Sequence, residues 1–134
     1  METQFEWDQL VDALREELQE KGGLIRLLNQ QTEVLYRRDA GDVARIEEQI
    51  RSQLRLASGC TQARQLILSQ TASRMKLSEN AESSEILGRF PEYVQPLLEA
   101  LFGEVDRLSG RMEERLKQNQ QLKHRFLAGA GSAV

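Results

Sequence analysis

Apolar residues recur at alternating steps of three and four along three long stretches of this 134-residue chain. Such spacing places them on one face of an α-helix, and a stripe that continues over many turns is typical of helices packed lengthwise. The first stretch has the most regular stripe, in which Lys21 and Thr32 fill two polar positions. Its apolar members are Trp7, Val11, Leu14, Leu18, Ile25, Leu28 and Leu35. No segment of the sequence shows the alternation typical of strands, so we expect an all-α fold.

Turn signals set the bounds of three helices. The first is predicted over about residues 6–38, and the second from residue 40 or 43 to about residue 76, with a short Asp-Ala-Gly-Asp turn between them. So short a turn makes the two helices antiparallel neighbours. A polar loop over residues 78–84 follows. The third helix is predicted within residues 90–127, where two prolines restrict its start.

These elements predict an antiparallel bundle of three long helices, running up-down-up with coiled-coil-like packing. The bundle is expected to form a single domain over residues 1–127, and the small, glycine-rich residues 128–134 a disordered tail. Gly22-Gly23 is the weak point of the first helix, since each glycine inside a helix costs about 1 kcal/mol relative to alanine. The stripe resumes in phase at Ile25, which favours a continuous or mildly kinked helix over a break.

The third stretch changes character along its length. Its first half, to Leu108, is densely apolar on one face, which favours ordinary core packing. From Met112 to Leu127 the stripe is thinner, and polar Arg115 and Asn119 occupy positions where the seam predicts apolar groups. For this second half, core packing and partner binding both stay open, because spaced apolar anchors on a helix also suit a partner helix.

Charge and composition disfavour several classes of function. The formal net charge is −3, with 18 basic and 21 acidic residues and no dominant basic patch, so nucleic-acid binding is not expected. The N-terminus is acidic where a secretory signal is basic, and no apolar run approaches the roughly 20 residues that cross a bilayer. Cys60 is the single cysteine and has no partner for an internal disulfide. These features predict a cytoplasmic protein without stable membrane insertion.

The sequence contains no familiar catalytic or metal-binding pattern. His124 is the single histidine, and its basic neighbours favour a solvated helix position over a general base. One histidine cannot supply the two Glu-x-x-His motifs of a di-metal helical bundle. The carboxylates of the first helix are interpreted as a solvated face. We therefore predict no enzyme activity, no cofactor and no metal site.

The pattern resembles that of the FlgN-type flagellar export chaperones, which are small helical cytosolic proteins. The similarity rests on the helix lengths, on the glutamine-rich end of the third helix, and on short sequences at Leu27-Leu28, at Glu33-Val34-Leu35 before a basic pair and Asp39, and at Leu122 with Phe126-Leu127. In one respect the chain departs from the family pattern: family members tend to carry several asparagines near the end of the last helix, whereas this chain has only Asn119 there.

This resemblance implies a chaperone that binds the C-terminal helical segments of hook-associated (hook–filament junction) proteins before export. It implies that the chaperone prevents premature assembly of this cargo and delivers it to components of the flagellar type III export apparatus. The amphipathic C-terminal helix is the expected contact surface. The expected partner-binding residues are Leu108, Met112, Leu116, Asn119, Leu122 and Phe126.

A structural coiled-coil or adaptor protein is the alternative interpretation. Its helices would self-associate through the same heptad seam into a homodimer or a scaffold. The polar seam residues and Gly22-Gly23 disfavour a long rigid coil. A chaperone of a virulence-type secretion system also fits the size and acidity, but such chaperones usually have a mixed α/β fold, and substantial strand content would favour that interpretation.

Overall fold

The structure is a computed structural model that describes the backbone of residues 2–78 and 80–132, and the side chains of residues 7–78 and 80–129. Within these residues the chain forms four helices and no strand. Their bounds are α1, Glu2–Arg37; α2, Ala40–Arg74; α3, Ser83–Leu87; and α4, Gln95–Ser132. The predicted all-α class is therefore confirmed.

The three predicted long helices correspond to α1, α2 and α4, and a fourth, five-residue helix, α3, precedes the last of them, so a bundle of three helices alone is not confirmed. In α3, Ile86 and Leu87 are buried, so tertiary packing holds a helix too short to show a helical period in the sequence. The last helix begins at Gln95, within the region 90–96 where the two prolines were expected to restrict its start. Pro96 is its second residue, where a helix tolerates a proline because the missing N–H has no intrahelical acceptor.

The turn between α1 and α2 is made by Arg38 and Asp39. Arg38 adopts a left-handed conformation with φ of 57°, which ends α1 in the way glycine often does. The Asp39 carboxylate accepts a hydrogen bond from the Asp42 backbone N–H at 3.1 Å and caps the start of α2. Gly41 lies inside α2 and takes no part in closing α1.

The chain divides into two compact units. Unit 1 contains Met1–Gln19 and Ser58–Asp106, and unit 2 contains Glu20–Ala57 and Arg107–Val134. The three long helices each contribute one segment to each unit. A single domain over residues 1–127 in an up-down-up bundle stays a prediction. The predicted disorder of residues 128–134 also stays one: α4 continues to Ser132, and residues 133–134 lie outside the described part of the chain.

Each unit has its own apolar core, to which all three long helices contribute. In unit 1 the cluster also includes α3 and the residues before α4; its buried members are Leu10, Val11, Leu14, Ala72, Ile86, Leu87, Phe90, Val94, Leu98 and Val105. Unit 2 has two smaller clusters; their buried members are Leu24, Leu28, Ile46, Ile50 and Ala57 in one, and Val34, Leu35 and Val43 in the other. The partly buried side chains of α4 cover both clusters of unit 2.

The buried face of α1 is wider than the predicted stripe. A second series of alternating steps is almost wholly buried, and its members are Leu10, Leu14, Glu17, Lys21, Leu24, Leu28, Gln31 and Leu35. Among the predicted stripe residues, Trp7 and Leu18 are only partly buried. A helix with one neighbour buries one narrow stripe, whereas α1 contacts α2 and α4 within each unit and therefore buries a broader face.

Helix α1 is continuous through Gly22-Gly23, as the phase of the stripe favours. Alanine at Gly22 should raise the free energy of unfolding by about 0.5–1 kcal/mol, because it restricts the unfolded backbone. A Cβ there would lie 3.9 Å from Arg26 Nη1, which is an ordinary contact. At Gly23 a Cβ would lie 3.1 Å from Gln53 Nε2, which donates to the Glu20 carbonyl oxygen at 2.9 Å. We therefore expect Gly23→Ala to raise the free energy of unfolding much less than Gly22→Ala does. Equal increases for the two variants in urea unfolding would contradict this account.

Candidate partner-binding site

The six residues predicted to bind a partner all lie on the α4 segment of unit 2. Met112 and Leu116 pack against the cluster that contains Leu24 and Leu28. Further along α4, Leu122 and Phe126 pack against the cluster of Val34, Leu35 and Val43, and Leu108 is partly buried. The structure therefore brings these side chains to one face of α4, and that face is turned towards the core of unit 2.

Asn119 is held by hydrogen bonds to α1. Its Nδ2 donates to the Leu28 carbonyl oxygen at 2.7 Å and to Gln31 Oε1 at 2.9 Å. Its Oδ1 accepts from the Thr32 hydroxyl at 2.7 Å. The side chain is 2% exposed, so these contacts compensate for the burial of its amide. The polar residue that interrupts the sequence stripe is thus a buried link between α1 and α4, and its role as a partner contact stays a prediction.

The polar residues on the α1 stripe have partners across unit 2. The buried Lys21 donates from Nζ to the Ser109 hydroxyl of α4 at 2.7 Å, and Thr32 bonds to Asn119 as above. The sequence carried a signal for the pair of Thr32 and Asn119, since both occupy positions where the seam predicts apolar residues, but it carried none for Ser109. It did not indicate which residue of α4 meets which residue of α1.

Apolar side chains in the α4 segment of unit 2 are only partly covered. Between residues 107 and 129, Asn119 is the one buried residue, and each apolar residue retains exposed surface. In α1, by contrast, Leu24 and Leu28 are fully buried. The α4 segment therefore presents a stripe of apolar edges to the solvent while the opposite side of the same side chains packs on the core.

An open groove of about 510 Å³ lies beside this stripe in unit 2. Its floor and walls include Gln31 from α1 and Ile50 from α2, and α4 supplies the rest. Among the residues from α4, Leu116 and the 57% exposed Leu127 are apolar, and Lys123 and His124 are basic. Lys123 also forms an ion pair with Glu47 of α2. The sequence stripe included the α4 leucines, but only the folded unit shows that Gln31 and Ile50 lie beside them.

Unit 1 contains a buried ion pair that the sequence did not predict. Glu17 is fully buried, which corrects the interpretation of the first helix's carboxylates as a wholly solvated face. Its two oxygens accept from Arg64 Nε at 2.6 Å and Nη2 at 3.2 Å, and the Thr61 hydroxyl donates to Oε2 at 2.9 Å. The Arg64 guanidinium lies 5.7 Å from the ring centroid of Phe102 on α4. This cluster joins all three long helices within unit 1.

The described residues offer little other site chemistry. None of the helices over residues 2–78 and 80–132 combines the length and apolar character needed to cross a bilayer. In the same part of the chain, no three His, Cys, Asp or Glu side chains are placed to hold a metal ion. We therefore take the groove and the partly exposed apolar side chains of α4 as the candidate partner-binding site.

Comparison with known proteins identifies one family. The model of the family described as FlgN protein matches residues 1–132. No curated protein and no solved structure matches the chain.

Proposed function

The chain belongs to the FlgN family, and from this premise we propose that it is a flagellar export chaperone acting in the cytoplasm. In this proposal it binds the C-terminal helical region of hook-associated proteins before their type III export. It keeps those segments from assembling early and delivers them to the export apparatus. Within unit 2, the second half of α4 presents its apolar stripe to the cargo.

The observation that carries the proposal is the incomplete burial of the α4 stripe in unit 2. Met112, Leu116, Leu122 and Phe126 each keep exposed apolar surface over several helical turns. Apolar anchors repeated at three- and four-residue steps are what an amphipathic partner helix covers. Each such edge removed from water contributes about 25 cal/mol per Å². A cargo helix can therefore gain affinity at this surface without first displacing α4 from its own core.

The proposal is tested by measuring the affinity for the C-terminal segment of a hook-associated protein from the same organism. Met112→Glu and Leu122→Glu should each weaken binding by about tenfold or more, since a charge is then desolvated against an apolar helix. Lys117→Glu, at an exposed position of α4 outside the stripe, is the matched control and should bind like the unmodified chain. Circular dichroism and urea unfolding establish that each variant is folded.

Met112 and Leu122 are partly buried, so a glutamate there also disturbs the core of unit 2. The milder Met112→Ala and Leu122→Ala pair removes contact area without adding charge. Folded variants that bind as tightly as the control would show that the contact surface lies elsewhere. A molecular mass that rises to that of a dimer with concentration, with no binding of the cargo segment, would instead favour the self-associating coiled-coil alternative.

A further inference from the structure

We infer that the groove between α2 and α4 in unit 2 receives an amphipathic helix that carries a carboxylate side chain among its apolar residues. The inference rests on the proposed chaperone function and specifies its partner: the cargo segment would dock in this groove, beside the α4 stripe. Three features of the groove carry it, namely its length, a hydrogen-bond donor at its floor, and the sign of its charge.

The length of the groove suits a helix. Leu116 and Leu127 both line it and are eleven positions apart on α4, which corresponds to about 16 Å along the helix axis. An occupant that touches both leucines and Ile50 must itself extend over about three helical turns. A parallel or antiparallel helix does so with side chains three and four residues apart.

Gln31 provides a donor that the fold leaves for an occupant. The residue is 8% exposed, and its Oε1 accepts from Asn119 at 2.9 Å. Among the described residues its Nε2 makes no hydrogen bond, and the side chain lines the groove. The nitrogen keeps some exposed surface at the groove, so it can donate to an occupant without a rearrangement of the fold. An acceptor oxygen on the occupant would receive this hydrogen bond.

The groups that line the groove indicate that the acceptor is a carboxylate. Lys123 supplies an ammonium group and His124 an imidazole that can donate a hydrogen bond, and no carboxylate stands among the described residues that line the groove. Lys123 pairs with Glu47, which lies outside the lining, and its ammonium keeps further N–H donors. A second cavity in unit 2, between α1 and α2, has equal numbers of acidic and basic side chains in its lining. These are Glu33, Asp42, Arg37 and Arg45. The groove at α4 is therefore the one of these two that favours an acidic partner.

Matched substitutions test the walls of the groove. Leu127→Ala should weaken binding of the cargo segment about tenfold, whereas Leu56→Ala, at an equally exposed leucine of α2 outside the groove, should have no effect (57% and 56% exposed). His124→Glu should weaken binding about fivefold or more by placing like charges together. Arg125→Glu changes the net charge more but lies outside the lining, and should leave binding nearly unchanged.

The floor of the groove is tested by Gln31→Glu. This change keeps an oxygen to accept from Asn119 but replaces the free donor with an acceptor, so an acidic partner should bind about tenfold more weakly. A pair of synthetic amphipathic peptides, identical except for glutamates or lysines beside the leucines, supplies a probe that does not depend on the cargo. The glutamate peptide should bind more tightly and shift the side-chain amide resonance of Gln31 in NMR spectra.

The outcomes separate this inference from the proposed function. If the unmodified chain binds cargo and the groove variants bind equally well, the inference is overturned and the chaperone function stands. If the unmodified chain binds no cargo segment, the chaperone function fails, and the peptide pair decides the groove by itself. Equal affinities for the two peptides, or a Gln31 resonance that does not move, would then overturn the inference.

Discussion

Replacing Arg64 with methionine should lower the free energy of unfolding by about 3 kcal/mol or more. Methionine keeps much of the apolar stem of the side chain but removes both hydrogen bonds to the Glu17 carboxylate. Glu17 is fully buried, so its charge would remain in a weakly polar interior with less compensation. Urea unfolding measures the loss, with circular dichroism as one probe and the fluorescence of Trp7, the single tryptophan of the chain and part of unit 1, as another.

A double variant tests whether the loss of stability comes from the missing ion pair or from the unpaired charge that remains buried. Glu17→Leu combined with Arg64→Met removes both charges, and we expect its stability to return to within about 1 kcal/mol of the unmodified chain. Arg51→Met is the matched control, because Arg51 pairs with Glu48 at the surface, where side chains are 60% and 72% exposed. Its effect should stay below about 0.5 kcal/mol. Equal losses at positions 51 and 64 would refute the assignment of the effect to burial.

Asn119→Asp should destabilise unit 2 by about 3 kcal/mol at neutral pH. The substitution hardly changes the shape of the side chain. It replaces the amide that donates to the Leu28 carbonyl and to Gln31 with an oxygen, which brings acceptors together at distances of 2.7 and 2.9 Å. Because the side chain is 2% exposed, solvent cannot relieve the repulsion.

The adjacent residue supplies the control for this prediction. Gln118→Glu makes the same change from amide to carboxylate one position earlier on α4, at an exposed side chain, and should cost at most about 0.5 kcal/mol. Amide hydrogen exchange locates the effect: Asn119→Asp should speed exchange in α4 beyond Met112, where the link to α1 is lost. Unchanged exchange in that segment would show that Asn119 does not hold α4 in place.

The period of the apolar residues predicted the long helices well, because the spacing of residues within a helix depends on that helix alone. It predicted Leu14, Leu28 and Leu35 as core and the continuity of α1 through its two glycines. The two prolines limited the start of α4 to the region between residue 90 and Pro96, and the helix begins at Gln95. The period did not predict α3, since five residues are too few to show one.

The contacts between α1 and α4 at the candidate site could not be predicted from the sequence. Which residue of α4 meets Gln31 or Thr32 depends on the axial register of two helices far apart in the chain, and the spacing within either helix does not contain that register. The second buried series of α1 was missed because Glu17 and Gln31 look solvated until their partners are known. The polar residues Thr32 and Asn119 were visible in the sequence, one on each helix. In the structure they form a hydrogen bond with each other inside unit 2.

The partial cover of the α4 side chains also bears on how fast cargo binds and leaves. An apolar surface that is already half accessible needs no prior unfolding step. Under the proposed function we therefore expect association at the rate typical of rigid protein surfaces, on the order of 10⁵–10⁷ M⁻¹s⁻¹. Dissociation would then break only the contacts with the cargo and leave the conformation of the chain unchanged. A protein that hands one polypeptide after another to a secretion channel gains from such a cycle, because its turnover is limited by encounter and release and not by refolding of its own helices.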